Sequence, residues 1–197
     1  MTGLAVCVFC ASSLRIAEHY VELAGEVGTE LARRGHTLVS GGGSISSMGA
    51  VARAARAGGA RTVGVIPQSL VDLEVGDDDA DELIVTPDMN TRKTEMERRA
   101  DAFIVLPGGL GTMEELFEVW SGRNLGLHDK PIAILDPTGL YAPLKTLGDR
   151  LYEERFVRAK AFDAIAWTST VAEAFAAVEG TVRPLEPAPD EVLESEP

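Results

Sequence analysis

The chain has 197 residues, a net charge of −13 and 45% hydrophobic residues, which fits one globular domain able to bury roughly 70% of its unfolded surface. The acidic balance argues against a nucleic-acid partner, whose backbone demands a basic face. No apolar run approaches the roughly 20 residues of a bilayer span, so no membrane partner is expected. Met1-Thr2-Gly3-Leu4 leads straight into a strand-like segment without a basic leader, and a cytoplasmic location follows as the default.

The chain then alternates between two periodicities. Leu4 to Cys10 is a near-continuous apolar run, as in a strand covered on both faces, and it ends in the small polar turn Ala11-Ser12-Ser13. Ile16, Val21, Leu23, Ala24, Val27 and Leu31 form a helical stripe that stops at Gly35. A strand over Thr37 to Ser40 runs into Gly41-Gly42-Gly43, and Met48, Val51, Ala52 and Ala55 mark the helix behind it, closed by Gly58-Gly59. Thr62 to Ile66 is a third strand, Gln68 to Asp81 a loop with a short helical turn, and Glu82 to Thr86 a fourth strand. A polar helix from Asp88 to Arg99 precedes the strand Ala102 to Leu106. The segment Pro107 to Glu115 then opens a helix through Leu116, Val119 and Trp120. Pro131 to Leu135, Leu140 to Leu151, Ala164 to Trp167 and Val171 to Val178 complete the alternation as strand, helix, strand, helix. Residues 1–180 are read as one α/β domain, and 181–197, acidic and proline-bearing, as a disordered tail.

In a parallel α/β sheet, ligands bind beyond the carboxyl ends of the strands. Five loops carrying polar or glycine residues follow strand ends here: Ser12-Ser13, Gly41 to Gly43, Pro67 to Glu74, Pro87 to Lys93 and Gly108 to Glu115. The last contains Gly108, Gly109, Gly111 and Thr112 at a strand-to-helix junction, where unpaired amides of a first helical turn favour an anion such as phosphate. Glu114 and Glu115, expected within that first turn, exceed what the helix dipole accounts for. Arg92 and Lys93 stand just after another strand end, at the helix terminus where the dipole disfavours cations, so a nearby anion or carboxylate is implied. Arg98 and Arg99 are read as a solvated helix face, and an Arg92–Glu95 pair on that face is the structural alternative for Arg92.

Other patterns yield less. Cys7 and Cys10 form a CxxC, but on a strand their odd separation puts them on opposite faces, and no second cysteine pair completes a zinc site. The triple glycine departs from the Rossmann spacing, having Ser46 where the third glycine belongs, so NAD is not expected. The three histidines lack metal-ligand spacing, and Asp77-Asp78-Asp79 reads as a solvated loop. No metal or cofactor is called for.

Pro107-Gly108-Gly109-Leu110-Gly111-Thr112-Met113-Glu114-Glu115 matches the signature PGGxGTxxE, and Arg92-Lys93 the upstream RK motif, of the LOG (Lonely Guy) family of cytokinin riboside 5′-monophosphate phosphoribohydrolases, often labelled lysine decarboxylase-like. The resemblance extends over Ala5 to Val178, taking in the Cys10 to Ser13 turn, the triple glycine and His128 to Pro131. It implies a modified Rossmann-like three-layer αβα fold with a mainly parallel sheet. It also implies a homodimer and hydrolysis of an N-glycosidic bond in AMP or N6-prenyl-AMP to free base and ribose 5-phosphate. Arg92 and Glu115 match the catalytic pair. Glu74, Lys93, Gly109, Leu110, Gly111, Thr112, Met113, Glu114, Ser121, Ser13, Gly42 and Gly43 are the substrate-binding candidates. Ser46 stands where the family commonly has glycine, and Ser121 where threonine often binds substrate. Molybdenum-cofactor carrier proteins resemble the same fold and glycine motif, which makes a non-catalytic carrier the alternative. Literal lysine decarboxylation would need a Schiff-base lysine, drawn from Lys93, Lys130, Lys145 and Lys160.

Overall fold

A computed structural model describes residues 3–73 and 76–180 of the chain. Glu74 and the tail 181–197, both singled out in the sequence, lie outside the described residues. In chain order the elements are β1 (Ala5–Phe9), α1 (Glu18–Arg33), β2 (Thr37–Ser40), α2 (Ser46–Ala57), β3 (Thr62–Pro67), α3 (Gln68–Val71), β4 (Glu82–Thr86) and α4 (Met89–Arg99). There follow β5 (Ala102–Val105), α5 (Leu110–Asn124), β6 (Ile132–Leu135), α6 (Ala142–Glu153), α7 (Ala159–Asp163), β7 (Ile165–Thr168) and α8 (Val171–Gly180). The short helix α7 has no counterpart in the sequence reading. At five residues it is too brief to show a helical period.

The strands form a seven-stranded sheet in the order β4-β3-β2-β1-β5-β6-β7, and every strand pair is parallel. Alternation along the buried strands sorts their side chains into two cores. Val6, Val8, Leu38, Ile104 and Leu135 face α1, α2 and α8 through Leu31, Val51 and Phe175. Cys7, Phe9, Val65, Phe103 and Ile134 face α4, α5 and α6 through Met96, Leu116 and Leu144. The result is an αβα sandwich. Cys7 and Cys10 are free thiols, buried in opposite cores, and burial pushes both thiol pKa values well up. Among the described residues no helix is long and apolar enough to cross a membrane.

The strand order reverses direction between β1 and β5. At such a switch point the connections leave to opposite sides and open a crevice at the carboxyl ends of the two strands. The loops after β1 and β5 therefore flank one cleft, and these are the loops carrying Ser12-Ser13 and the glycine motif.

On one face α1 and α2 meet through Gly28, where an added Cβ would fall 2.3 Å from the Val51 carbonyl oxygen. Gly28→Ala is expected to lower stability by about 1–3 kcal/mol, because overpacking a backbone contact outweighs the gain in helix propensity. Thermal unfolding checks the sign; a more stable variant would mean that the helices separate without strain.

Candidate active site

The turn after β5 places α5. Leu106 N–H continues the ladder to the Phe9 carbonyl at 2.9 Å, and the chain then turns through Pro107 and Gly108. Gly109, in an extended conformation, is the N-cap of α5, no side chain caps it, and Met113 N–H closes the first helical bond to its carbonyl at 3.0 Å. The turn is tight: a Cβ on Gly108 would lie 2.1 Å from Thr112 Oγ1. Because α5 begins at Leu110, Glu114 and Glu115 fall in the second turn and not in the first as the sequence suggested. That places the two carboxylates beside the amide end of the helix, leaving the end itself open to a ligand.

A cavity of about 480 Å³ occupies the switch-point cleft, a usual size for a small-molecule site. The Cys10 to Ser13 turn and the Pro107 to Thr112 turn form two of its sides, and Arg92, Glu114 and Glu115 lie between them. Of the substrate-binding candidates, Ser13, Gly109, Leu110, Gly111, Thr112 and Glu114 line this space. The others do not. Met113 packs against the α4–α6 core, Ser121 lines a separate, mostly apolar hollow with Phe117 and Trp120, and Lys93 faces α5 from the far side of Glu115. Helical phase explains the first two: positions 113 and 121 turn away from the face that carries 111, 112 and 115. The sequence reading missed the apolar wall of Ile16, Tyr20, Met48, Leu70, Met89 and Leu140. These residues come from separate elements, and in sequence they are indistinguishable from core positions.

Arg92 and Glu115 are buried, at 5% and 8% exposure, and pair at 2.8 Å through Arg92 Nη1 and Glu115 Oε1. Arg92 Nε also donates to the Val65 carbonyl at 3.0 Å, which fixes the guanidinium at the end of β3. The Arg92–Glu95 alternative is absent: Glu95 takes Arg98 and Arg99 instead, and these hold its pKa down at about 2. The triple glycine serves the arginine. A Cβ on Gly41 would lie 1.8 Å from Arg92 Nη2, so only glycine leaves the guanidinium its place. Gly42 has φ +70 and packs on β3, and Gly43 bridges to Gly76, so neither lines the cavity. Ser46 adopts a left-handed φ of +52, a conformation that favours glycine, and its Oγ donates to the Ser13 carbonyl at 2.6 Å. The serine thus accepts local strain and ties α2 to a cavity-lining loop.

Electrostatics set these groups apart from the surface pairs. Burial raises the Glu115 pKa above the ordinary carboxylate value, and the Arg92 charge and hydrogen bond oppose it. Lys93 Nζ bridges Glu114 and Glu118, both at 3.0 Å, so α4 and α5 are joined by one buried and two more exposed ion pairs. Among the described residues no group of three or more His, Cys, Asp or Glu side chains is gathered as for a metal ion. Arg92→Ala should cost about 3–5 kcal/mol near neutral pH by stranding a buried carboxylate. Without Arg92 nothing opposes the burial that raises the Glu115 pKa, so that loss is full above the variant's folded pKa and fades as pH falls through it toward the wild-type value. Denaturant unfolding of the variant at pH 8 and pH 5 tests this; an equal loss at both would show that Glu115 is not the stranded group.

Residues 48–178 match the family model described as "Possible lysine decarboxylase". A cytokinin riboside 5′-monophosphate phosphoribohydrolase of Mycobacterium tuberculosis is 52% identical over 172 residues, covering 87% of this chain and 91% of that protein. An Arabidopsis thaliana enzyme of the same name is 43% identical over 168 residues, covering 85% and 78%. Among solved structures, the molybdenum cofactor binding protein of Rippkaea orientalis superposes with a TM-score of 0.70 over 93% of this chain and 99% of its own, at 19% identity, a likeness of fold alone. With a family model over most of its length and relatives of this identity, the chain belongs to the LOG family of cytokinin riboside 5′-monophosphate phosphoribohydrolases.

Proposed function

We propose that this chain hydrolyses the N-glycosidic bond of adenosine 5′-monophosphate or its N6-prenylated forms, releasing the free base and ribose 5-phosphate. The observation that carries the reading is the buried Arg92–Glu115 pair opening on a cavity beside the uncapped amino terminus of α5. Water is the second substrate. The C1′–N9 bond breaks with its electron pair leaving on the base, which takes up a proton, and water adds its oxygen to C1′ and loses a proton.

Bond breaking builds positive charge on the ribose, so a carboxylate held beside it is stabilising in the transition state. Glu115 fills that role and can accept the proton of the attacking water. Arg92 orients Glu115 and opposes the burial that raises its pKa. The amides at the start of α5 take the 5′-phosphate, whose binding energy positions the ribose. The apolar wall of Ile16, Tyr20, Met48 and Leu140 accommodates the base. Leu110, which lines the cavity and is 87% exposed, and Leu14, next to Ser13 and 75% exposed, fit a homodimer in which a second subunit covers the opening. Schiff-base chemistry is not favoured, since no lysine lines the cavity among the described residues.

Incubation with AMP and with N6-isopentenyladenosine monophosphate, side by side, should yield free base and ribose 5-phosphate; recovery of both nucleotides intact would favour a carrier. Glu115→Gln is expected to lower kcat by roughly 10²–10⁴ with the fold retained, as removal of a charge-stabilising group does. Near-normal turnover would remove Glu115 from the mechanism. The acidic limb of the wild-type pH–rate profile should lie above the ordinary glutamic acid range, because Glu115 protonates at a raised pH. A limb at or below that range would assign it to another group.

A further inference from the structure

Tyr141, the N-cap residue of α6, lies outside the cavity but reaches the turn that shapes it. The side chain is 4% exposed and belongs to the core beneath α5 and α6. Gly108 N–H donates to its hydroxyl oxygen at 3.0 Å. An amide only donates, so the phenolic hydrogen is directed to the Leu106 carbonyl, at 3.1 Å. One hydroxyl thereby bridges the residues on either side of Pro107. Burial pushes the phenol up to about 12, so it remains a donor throughout the working pH range.

This bridge answers a problem posed by the motif itself. Gly108 and Gly109 give the backbone close approach but little preference for one conformation. Thr112 restricts Gly108 from one side, and Tyr141 pins it from the other. Tyr141 is itself anchored: its N–H and that of Leu140 donate to Asp136 Oδ2 and Oδ1 at 2.7 and 3.0 Å. Asp136 directly follows β6, which pairs with β5. The turn is thus referred back to the rigid sheet through a carboxylate and a phenol.

We propose that Tyr141 is a positioning residue, whose hydroxyl sets the Leu106–Gly109 turn so that the amino terminus of α5 faces the substrate's phosphate. The proposal rests on the phosphoribohydrolase reading above. It acts through the turn, so its signature is selectivity for the phosphate over the rest of the ligand.

Tyr141→Phe keeps the ring and deletes the bridge. By calorimetry on the full chain, ribose 5-phosphate and AMP should bind about tenfold more weakly, with adenosine unchanged and KM for AMP raised in step. Asp136→Asn, which weakens the anchor and keeps the hydroxyl, should give the same phosphate-selective loss at smaller size, and decides the matter if the first variant fails to fold. Thr62→Val in β3, three strands away from β5, removes a buried hydroxyl bond to Asp81 and should lower Tm without changing any affinity. Equal weakening of adenosine and AMP, or unchanged ribose 5-phosphate affinity in both variants, overturns the positioning role. A wild type that binds ribose 5-phosphate but releases no adenine from AMP sinks the enzymatic reading alone, and the ribose 5-phosphate comparison still decides on Tyr141. A wild type that binds no phosphate ester overturns both.

Discussion

An ion pair taken out of water loses several kcal/mol of hydration per ion, and recovers it only where the geometry is close and the remaining donors are occupied. Arg92 and Glu115 meet those terms through structure drawn from across the chain. The guanidinium needs the end of β3 for its Nε and the missing side chain of Gly41 for its room. The carboxylate needs α5 to begin at Leu110, which depends on the glycine turn after β5. A pair of this kind adds little net stability over apolar residues of the same volume. In the proposed reaction its justification is chemical: a carboxylate in a water-poor cleft acts more strongly on a developing cation than one in solvent.

The anion problem has a related solution. A chain of net charge −13 has no basic field with which to attract a nucleotide, and its cavity holds Glu114 and Glu115 against Arg92. In the proposed function, backbone amides provide what side chains do not. The uncapped start of α5 offers fixed partial positive charge and donors that need no counterion. Lys93, bridging Glu114 and Glu118, neutralises the next turn of the same helix. In the proposed function phosphate affinity depends less on charge than on where one turn points, and the surroundings of Gly108 are closely packed.

Relatives at 43% to 52% identity and a fold neighbour at 19% describe different levels of this design. The αβα frame and its switch point are shared with a cofactor-binding protein, since a parallel sheet whose order reverses always opens a cleft at its strand ends. The residues placed in that cleft are what separate one use from another.

Most of the framework was legible in the chain itself. Continuous apolar runs alternating with 3.6-residue stripes name a parallel α/β sheet, and β2 and β4 were bounded to the residue because glycine, serine and charge punctuate them. The glycine motif was legible too, and so was the need of Arg92 for a nearby anion or carboxylate; that Glu115 is the partner came from the family resemblance, and the two pair at 2.8 Å. Periodicity is a local property, and it identifies elements without saying which neighbours they acquire. Tertiary packing alone decided that Gly41 makes room for an arginine, that Lys93 turns to α5, that Ser121 joins a different hollow, and that six apolar residues form the cavity wall. Each of these depends on side-chain direction between elements far apart in sequence. That direction is fixed only when the sheet brings the strand ends together.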